Sequence, residues 1–384
     1  MPPVCLTAQK GHYNLKFQLS KKNFADTIGI ELQEGRVLVP VTIDGCQRRF
    51  MLDTGAAQAI IYDDSHIGSC QPAGTIGSFD AVGHREEVPL VTLPPLTIGT
   101  LTLTGCQATV HQRPRTARQD FDGIIGFDLV CKGISMKIDT EARLLILTDR
   151  KKLFDSDGRG FEAKYKVRPY FHTPYLEAEP FTGYKEEVLF DTGSRRLYVM
   201  GKESFGQSLP ACQKQRAGQV EGRAQGSYMM GLHGRERKGE VVFLSVDRLT
   251  TFGGFSFCEL HTQTTSGGSH LGAGVLKYGS VTFLPQRKTV RFLPYDGQSR
   301  VAIGNRQTEK AIGNRNGLPV AEFVWRDGKA FAAGLREGDT ILKADGHAFA
   351  SFDDYARFRY LIGHVYTFIV RDLRGIQKEV RMEW

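Results

Sequence analysis

Apolar and polar positions alternate along most of this chain in short bursts, the period of half-buried strands rather than of helices. The bursts fall at His12–Leu19, Ile28–Glu31, Val37–Ile43, Arg49–Leu52 and Ala59–Tyr62, with Asp44-Gly45 as a hairpin turn. A glycine-punctuated hairpin follows at Gly74–Phe79 and Ala81–Gly83. Strands are then predicted at Val88–Leu93, Leu96–Leu103 and Gln107–His111. The segment Ile124-Ile125-Gly126 and a closing hairpin, Ile134–Ile138 with Arg143–Leu147, complete the series. The same order then returns. Tyr175–Ala178 and Glu187–Phe190 read as strands, Gly226–Gly231 as a second glycine-flanked hairpin, and His270-Leu271-Gly272 stands in for Ile124-Ile125-Gly126. Lys277–Leu284 and Thr289–Leu293 echo the closing hairpin. The pattern predicts two β lobes built alike.

Each lobe drives one apolar run into the same tripeptide. Phe50-Met51-Leu52 leads into Asp53-Thr54-Gly55-Ala56, and Val188-Leu189-Phe190 leads into Asp191-Thr192-Gly193-Ser194. Asp191 follows Asp53 by 138 positions and Gly272 follows Gly126 by 146, so the offsets agree to within eight residues across a lobe. A single Asp-Thr-Gly carries little information; two at equivalent places carry much. Paired carboxylates suit a reaction that needs a base toward water and an acid toward a leaving amine. Held close, they share one proton, because like charges a few ångströms apart do not both ionise easily. Glycine lets another backbone approach, and threonine can bond across to the facing turn.

These motifs resemble the aspartic proteases of the pepsin and retroviral-protease clan, over most of the first 295 residues. The resemblance implies an all-β, bilobal acid-protease fold in which water, activated between Asp53 and Asp191, hydrolyses peptide bonds. Thr54, Gly55, Thr192, Gly193 and Ser194 would position the pair, and Ile125-Gly126 and Leu271-Gly272 would back it. Gly77, Ser78 and Phe79 fall where the family has its flap, or form a plain surface hairpin. Tyr228 is either an aromatic gate or a packing residue. Each lobe supplies one Asp, so the active unit would be a monomer acting on peptide or protein substrates. No cofactor or metal is implied. Two positions depart from the family: His270 replaces an apolar residue, and Arg195-Arg196 replaces small ones, facing either the cleft or solvent. Ala56 against Ser194 gives the first lobe one hydroxyl fewer beside its carboxylate.

Beyond Asp296 the texture changes. Residues 297–316 are polar and repeat a pentapeptide, Ala302-Ile303-Gly304-Asn305-Arg306 and Ala311-Ile312-Gly313-Asn314-Arg315, read as a linker running into the first strand of a new domain. Over 317–384, Val320–Trp325 reads as a strand, Ser351 caps a helix running to about Tyr360, and Tyr366–Arg371 and Gln377–Met382 are strands. The run from Ala332 to Gly346 resembles a bacterial-type PDZ domain. That would bind a C-terminal peptide, with Gly317-Leu318 at its carboxylate loop, or, because Pro319 lacks an amide hydrogen, dock against the protease. The expected domains are 9–150 and 151–296 for the lobes, 297–316 for the linker and 317–384 for the PDZ domain.

Composition narrows the rest. The 384 residues include 43 glycines and carry a net charge of +8. The basic residues are scattered rather than clustered with aromatics, which argues against nucleic acid. No apolar run is long enough for a membrane-spanning helix. Residues 1–8, MPPVCLTA, read as the tail of a secretory signal, which points to the bacterial cell envelope, periplasmic or secreted. Removing them takes Cys5 and leaves six of the seven cysteines, as disulfides or as free thiols. A rival from another class is a catalytically silent peptide-binding scaffold.

Overall fold

The computed structural model describes residues 15–113, 121–158, 160–169, 171–208, 212–226, 229–305 and 307–384. The described chain is all-β apart from a few short helices, and no helix among these residues is long and apolar enough to cross a membrane.

In the first lobe the Asp44-Gly45 turn, both residues at positive φ, folds Arg36–Ile43 back on Cys46–Leu52. Gly123–Ile125 then threads in parallel beside Cys46–Leu52, with Ile125 opposite Leu52, and antiparallel to Ala59–Tyr62. Outward from Ala59–Tyr62 the sheet continues through Gln107–His111 and Arg85–Thr92 to Gln71–Phe79. The second lobe repeats the central threading. His270–Gly272 runs parallel to Tyr184–Asp191, with Leu271 opposite Phe190, and antiparallel to Tyr198–Gly201.

The two closing hairpins meet. Ser135–Asp139 pairs antiparallel with Gly279–Leu284, placing Met136 opposite Phe283, so one six-stranded sheet holds strands of both lobes. Beneath it a single apolar cluster runs from Phe17 to Phe292 and includes the fully buried rings of Phe127, Phe190, Phe283 and Phe292. Sequestering that surface from water fixes how the lobes face each other.

Residues 310–384 form a separate sheet over their own core of Val324, Ile341, Phe368 and Val380. The stretch read as a linker carries two strands instead. Arg300–Ala302 pairs with Phe255–Thr265, and Lys310–Arg315 pairs with Leu318–Val324. The pentapeptide repeat explains this. Ile303 packs on the core of the lobes and Ile312 on the core of the third unit. Asn305 also clamps the backbone of His261 at both N–H and C=O, at 2.9 and 3.0 Å.

Other expectations shift at their edges. Ala273–Lys277 is a 3-10 turn ahead of the strand Gly279–Leu284. The capped helix is only Phe352–Arg357, with Ser351 Oγ accepting the amide of Asp354 at 3.1 Å. All six described cysteines are free thiols; Cys5 and the signal-like residues 1–8 lie outside the described residues.

Candidate active site

The parallel threading brings Asp53 and Asp191 face to face at the strand ends. Their turns are locked by a reciprocal pair of threonines. Thr54 N–H donates to Thr192 Oγ1 at 3.0 Å and Thr192 N–H to Thr54 Oγ1 at 3.1 Å. Each hydroxyl in turn donates across the lobe boundary, Thr54 to Phe190 O at 2.6 Å and Thr192 to Leu52 O at 2.8 Å. Both threonines are fully buried, so four otherwise orphaned backbone groups are satisfied by side chains of the opposite lobe.

The glycines are required by distance. A Cβ on Gly55 would stand 2.6 Å from Asp191 Oδ1, and one on Gly193 2.6 Å from Asp53 Cγ. A Cβ on Gly126 would lie 2.6 Å from the carbonyl of Gln58, and one on Gly272 would collide with the carbonyl oxygens of Ser194 and Arg196. Ile125 O accepts the Asp53 amide at 3.0 Å, and Leu271 is opposite Phe190 in the register.

The carboxyls lie close together: a Cβ on Gly55 would meet Asp191 Oδ1 at 2.6 Å and Asp53 Oδ1 at 3.1 Å. Gly55 N–H donates to Asp53 Oδ1 at 2.8 Å. Asp191 Oδ1 receives two amides, Gly193 at 2.9 Å and Ser194 at 3.3 Å. Burial and the charge of Asp191 hold Asp53 well above the usual carboxylate range. Asp191 is also raised by burial, but its bond from Asp53 and its two amides oppose that. Both carboxyls are thus pushed up by burial, and the pair titrates as one unit. The extra donor in the second lobe is the amide of Ser194; no bond from its hydroxyl to Asp191 is present among the described residues.

The dyad opens on a cavity of about 1320 Å³. Gly77, Ser78 and Phe79 line it from the strand Gln71–Phe79. The tip of that hairpin rests on the second lobe. Asp80 accepts the His233 amide at 3.1 Å, Ser78 Oγ lies 3.0 Å from His233 Nε2, and Ser266 Oγ donates to Val82 O at 3.3 Å. Phe79 and Phe171 meet edge to face at 5.6 Å. Arg195 and Arg196 are exposed and also line the cavity; Arg195 pairs with Glu34 at 3.2 Å and Arg196 donates to Gln263 at 3.4 Å. Tyr228 lies outside the described residues.

His270 occupies the place of Ile124, opposite Leu189 as Ile124 is opposite Met51. It is buried, its Nε2 has no partner among the described residues, and burial pushes its imidazole down to about 4. Gly317 and Leu318, expected at a carboxylate loop, lie at a tight turn. Asn316 and Gly317, both at positive φ, are a two-residue hairpin turn between Arg315 and Leu318. The Gly317 amide is spent on Asn314 Oδ1 at 2.9 Å and its carbonyl on the Phe352 amide at 2.6 Å. The Asn-Gly dipeptide was the readable sign of this turn. The cavity-lining residues Arg36, Arg235, Phe171 and Met230 were not anticipated; they arrive from distant segments and carry no local signature.

Comparison with known proteins agrees with the first lobe. Residues 39–129 match a family model described as aspartyl protease. A search of curated protein sequences finds no match. Among solved structures, an aspartic proteinase from Irpex lacteus is similar at 12% identity and a TM-score of 0.47, covering 70% of this chain and 97% of that one.

Proposed function

We propose that the chain is an aspartic endopeptidase whose catalytic residues are Asp53 and Asp191. The observation that carries this reading is the pair of buried carboxyls brought face to face and held by mirrored threonine bonds at the floor of a large cavity. A water between the pair loses its proton to ionised Asp191 as its oxygen attacks the scissile carbonyl. Protonated Asp53 donates to the carbonyl oxygen, giving a gem-diol. Proton transfer to the amide nitrogen then releases the amine as the C–N bond breaks and the carbonyl reforms, and the pair returns to a single shared proton. Thr54, Gly55, Thr192, Gly193 and Ser194 fix the geometry, and Ile125-Gly126 and Leu271-Gly272 support it. The hairpin bearing Gly77, Ser78 and Phe79 closes over the substrate and excludes water. The third unit acts as a PDZ-like module for peptide recruitment.

The test is digestion of a complex peptide library, read by mass spectrometry, with wild type, Asp53→Asn and Asp191→Asn. Cuts made by wild type and lost in both variants are expected. Cuts that survive either substitution overturn the assignment, and no cuts at any pH favour the silent scaffold.

A further inference from the structure

The cavity that holds the dyad does not end with the two lobes. Its wall continues onto Gly313 and Asn314 of the strand Lys310–Arg315, onto Glu322 of the next strand and onto Phe352 at the start of the helix. The third unit is seated so that this continuity is fixed. Glu322 pairs with Arg235 of the second lobe at 2.6 Å, and Phe323 and Trp325 stack on Phe243 at 4.9 and 5.1 Å. The Trp325 ring occupies the space that a side chain at Gly222 would need, and the Arg326 amide donates to Arg223 O at 2.8 Å.

Lys310–Arg315 is an edge strand. It pairs with Leu318–Val324 on one side, and no described strand covers the other. An uncovered edge presents backbone donors and acceptors that an extended chain can pair with, whatever its sequence. In the neighbouring turn the Gly317 amide, which a chain end would need, is already bonded to Asn314.

We propose that the third unit is an extension of the catalytic cleft: a polypeptide lying across the dyad continues onto the Lys310–Arg315 edge as an added strand, held by an internal segment and not by its C-terminus. This rests on the endopeptidase reading and names its substrate class, unfolded polypeptide long enough to reach both places. Binding at the remote edge would favour long chains over short ones.

The test uses the full chain carrying Asp191→Asn, immobilised. It is offered random-sequence peptides of about 6 and about 16 residues, spanning about 20 and about 50 Å when extended. Each set is made with a free or an amidated C-terminus, and retention is read by mass spectrometry. The longer peptides are expected to be retained at least tenfold more strongly (about 1.4 kcal/mol), equally in both end forms. Asn314→Trp, which fills the groove at an exposed position, removes that gain. Asn314→Ala, which loses the same bond to Gly317 without filling the groove, keeps it. Equal retention of both lengths overturns the proposal. So does a gain that survives Asn314→Trp, a gain lost alike in both variants, or one confined to free C-termini. Failure of the endopeptidase reading shows separately, as wild-type chain that cuts neither set, and leaves the length dependence of retention readable.

Discussion

The two lobes deliver their carboxylates by the same threading and then part company. Around the dyad they match residue for residue: Ile125 beside Leu52 and Leu271 beside Phe190, Thr54 answering Thr192, and Gly126 and Gly272 each pressed against a backbone. One step away they diverge. The first lobe covers the cavity with the hairpin of Gln71–Phe79 and Arg85–Thr92. The second grows much longer strands, Gly239–Thr251 and Phe255–Thr265 at 13 and 11 residues, and uses their flank to seat the third unit. Beside the supporting glycine the first lobe buries an acid, Asp128, and the second a base, His270. Symmetry is kept where the two turns meet around the carboxyls and is lost where each lobe meets different neighbours.

The sharpest way to break the match is at the supporting glycines. Gly126→Ala and Gly272→Ala each force a Cβ into backbone that cannot move aside, and each should cost about 3 kcal/mol or more, seen in thermal unfolding, and abolish activity. A tolerated alanine in one lobe alone would show that the threading is not equivalent.

The threonines come next. Thr54→Val and Thr192→Val each strand a buried amide and a buried carbonyl of the opposite lobe. Each should cost about 2 kcal/mol, by nearly equal amounts, and because each hydroxyl makes two bonds of its own, the double variant should cost about the sum. Unequal costs would mean that one turn braces the other rather than both bracing each other.

The buried acid and base should differ in sign. Burial pushes Asp128 up to about 7, so the stability it contributes is full below its unfolded value near 3.8 and is lost as pH rises through 7. His270, pushed down to about 4 from 6.5, contributes stability that is present above pH 6.5 and lost as pH falls toward 4. Asp128→Asn should therefore remove a fall in melting temperature as pH rises from about 4 to 7, and His270→Leu should remove a rise from about 4 to 6.5. Each effect is bounded by about 1.4 kcal/mol per pK unit. Like signs from both would contradict the assignment.

The smallest expected effect is at Ser194. Its amide, not its hydroxyl, reaches Asp191, so Ser194→Ala should leave the pH–rate profile within about 0.3 units. A shift of a full unit would return the asymmetry to the hydroxyl that Ala56 lacks.

Much of this was legible in the chain. Two apolar runs ending in Asp-Thr-Gly, each followed by an apolar-apolar-glycine segment, were enough to pair Gly126 with Gly272 before any coordinates, because these contacts use short motifs with strict steric demands. The closure of the cavity was not legible. Leu232 packs against the cluster that includes Tyr62 and Phe121, and His233 lies against His111, contacts between residues more than a hundred positions apart that leave no periodicity behind. At Gly317-Leu318 the legible signal is the turn chemistry of Asn316-Gly317, which closes a two-residue hairpin. The pentapeptide repeat was visible, but its use was not, since one copy serves the lobes and the other the third unit.

In the proposed function Asp53 and Asp191 work as one acid–base unit. The most direct measurement is kcat/KM against pH for one cleaved peptide, with wild type and both single Asn variants. The account predicts a bell-shaped profile whose upper limb lies above the ordinary carboxylate range, since burial and Asp191 hold the proton on Asp53, and loss of cleavage in either variant. A profile with one limb only, or cleavage that persists in Asp53→Asn, would contradict it.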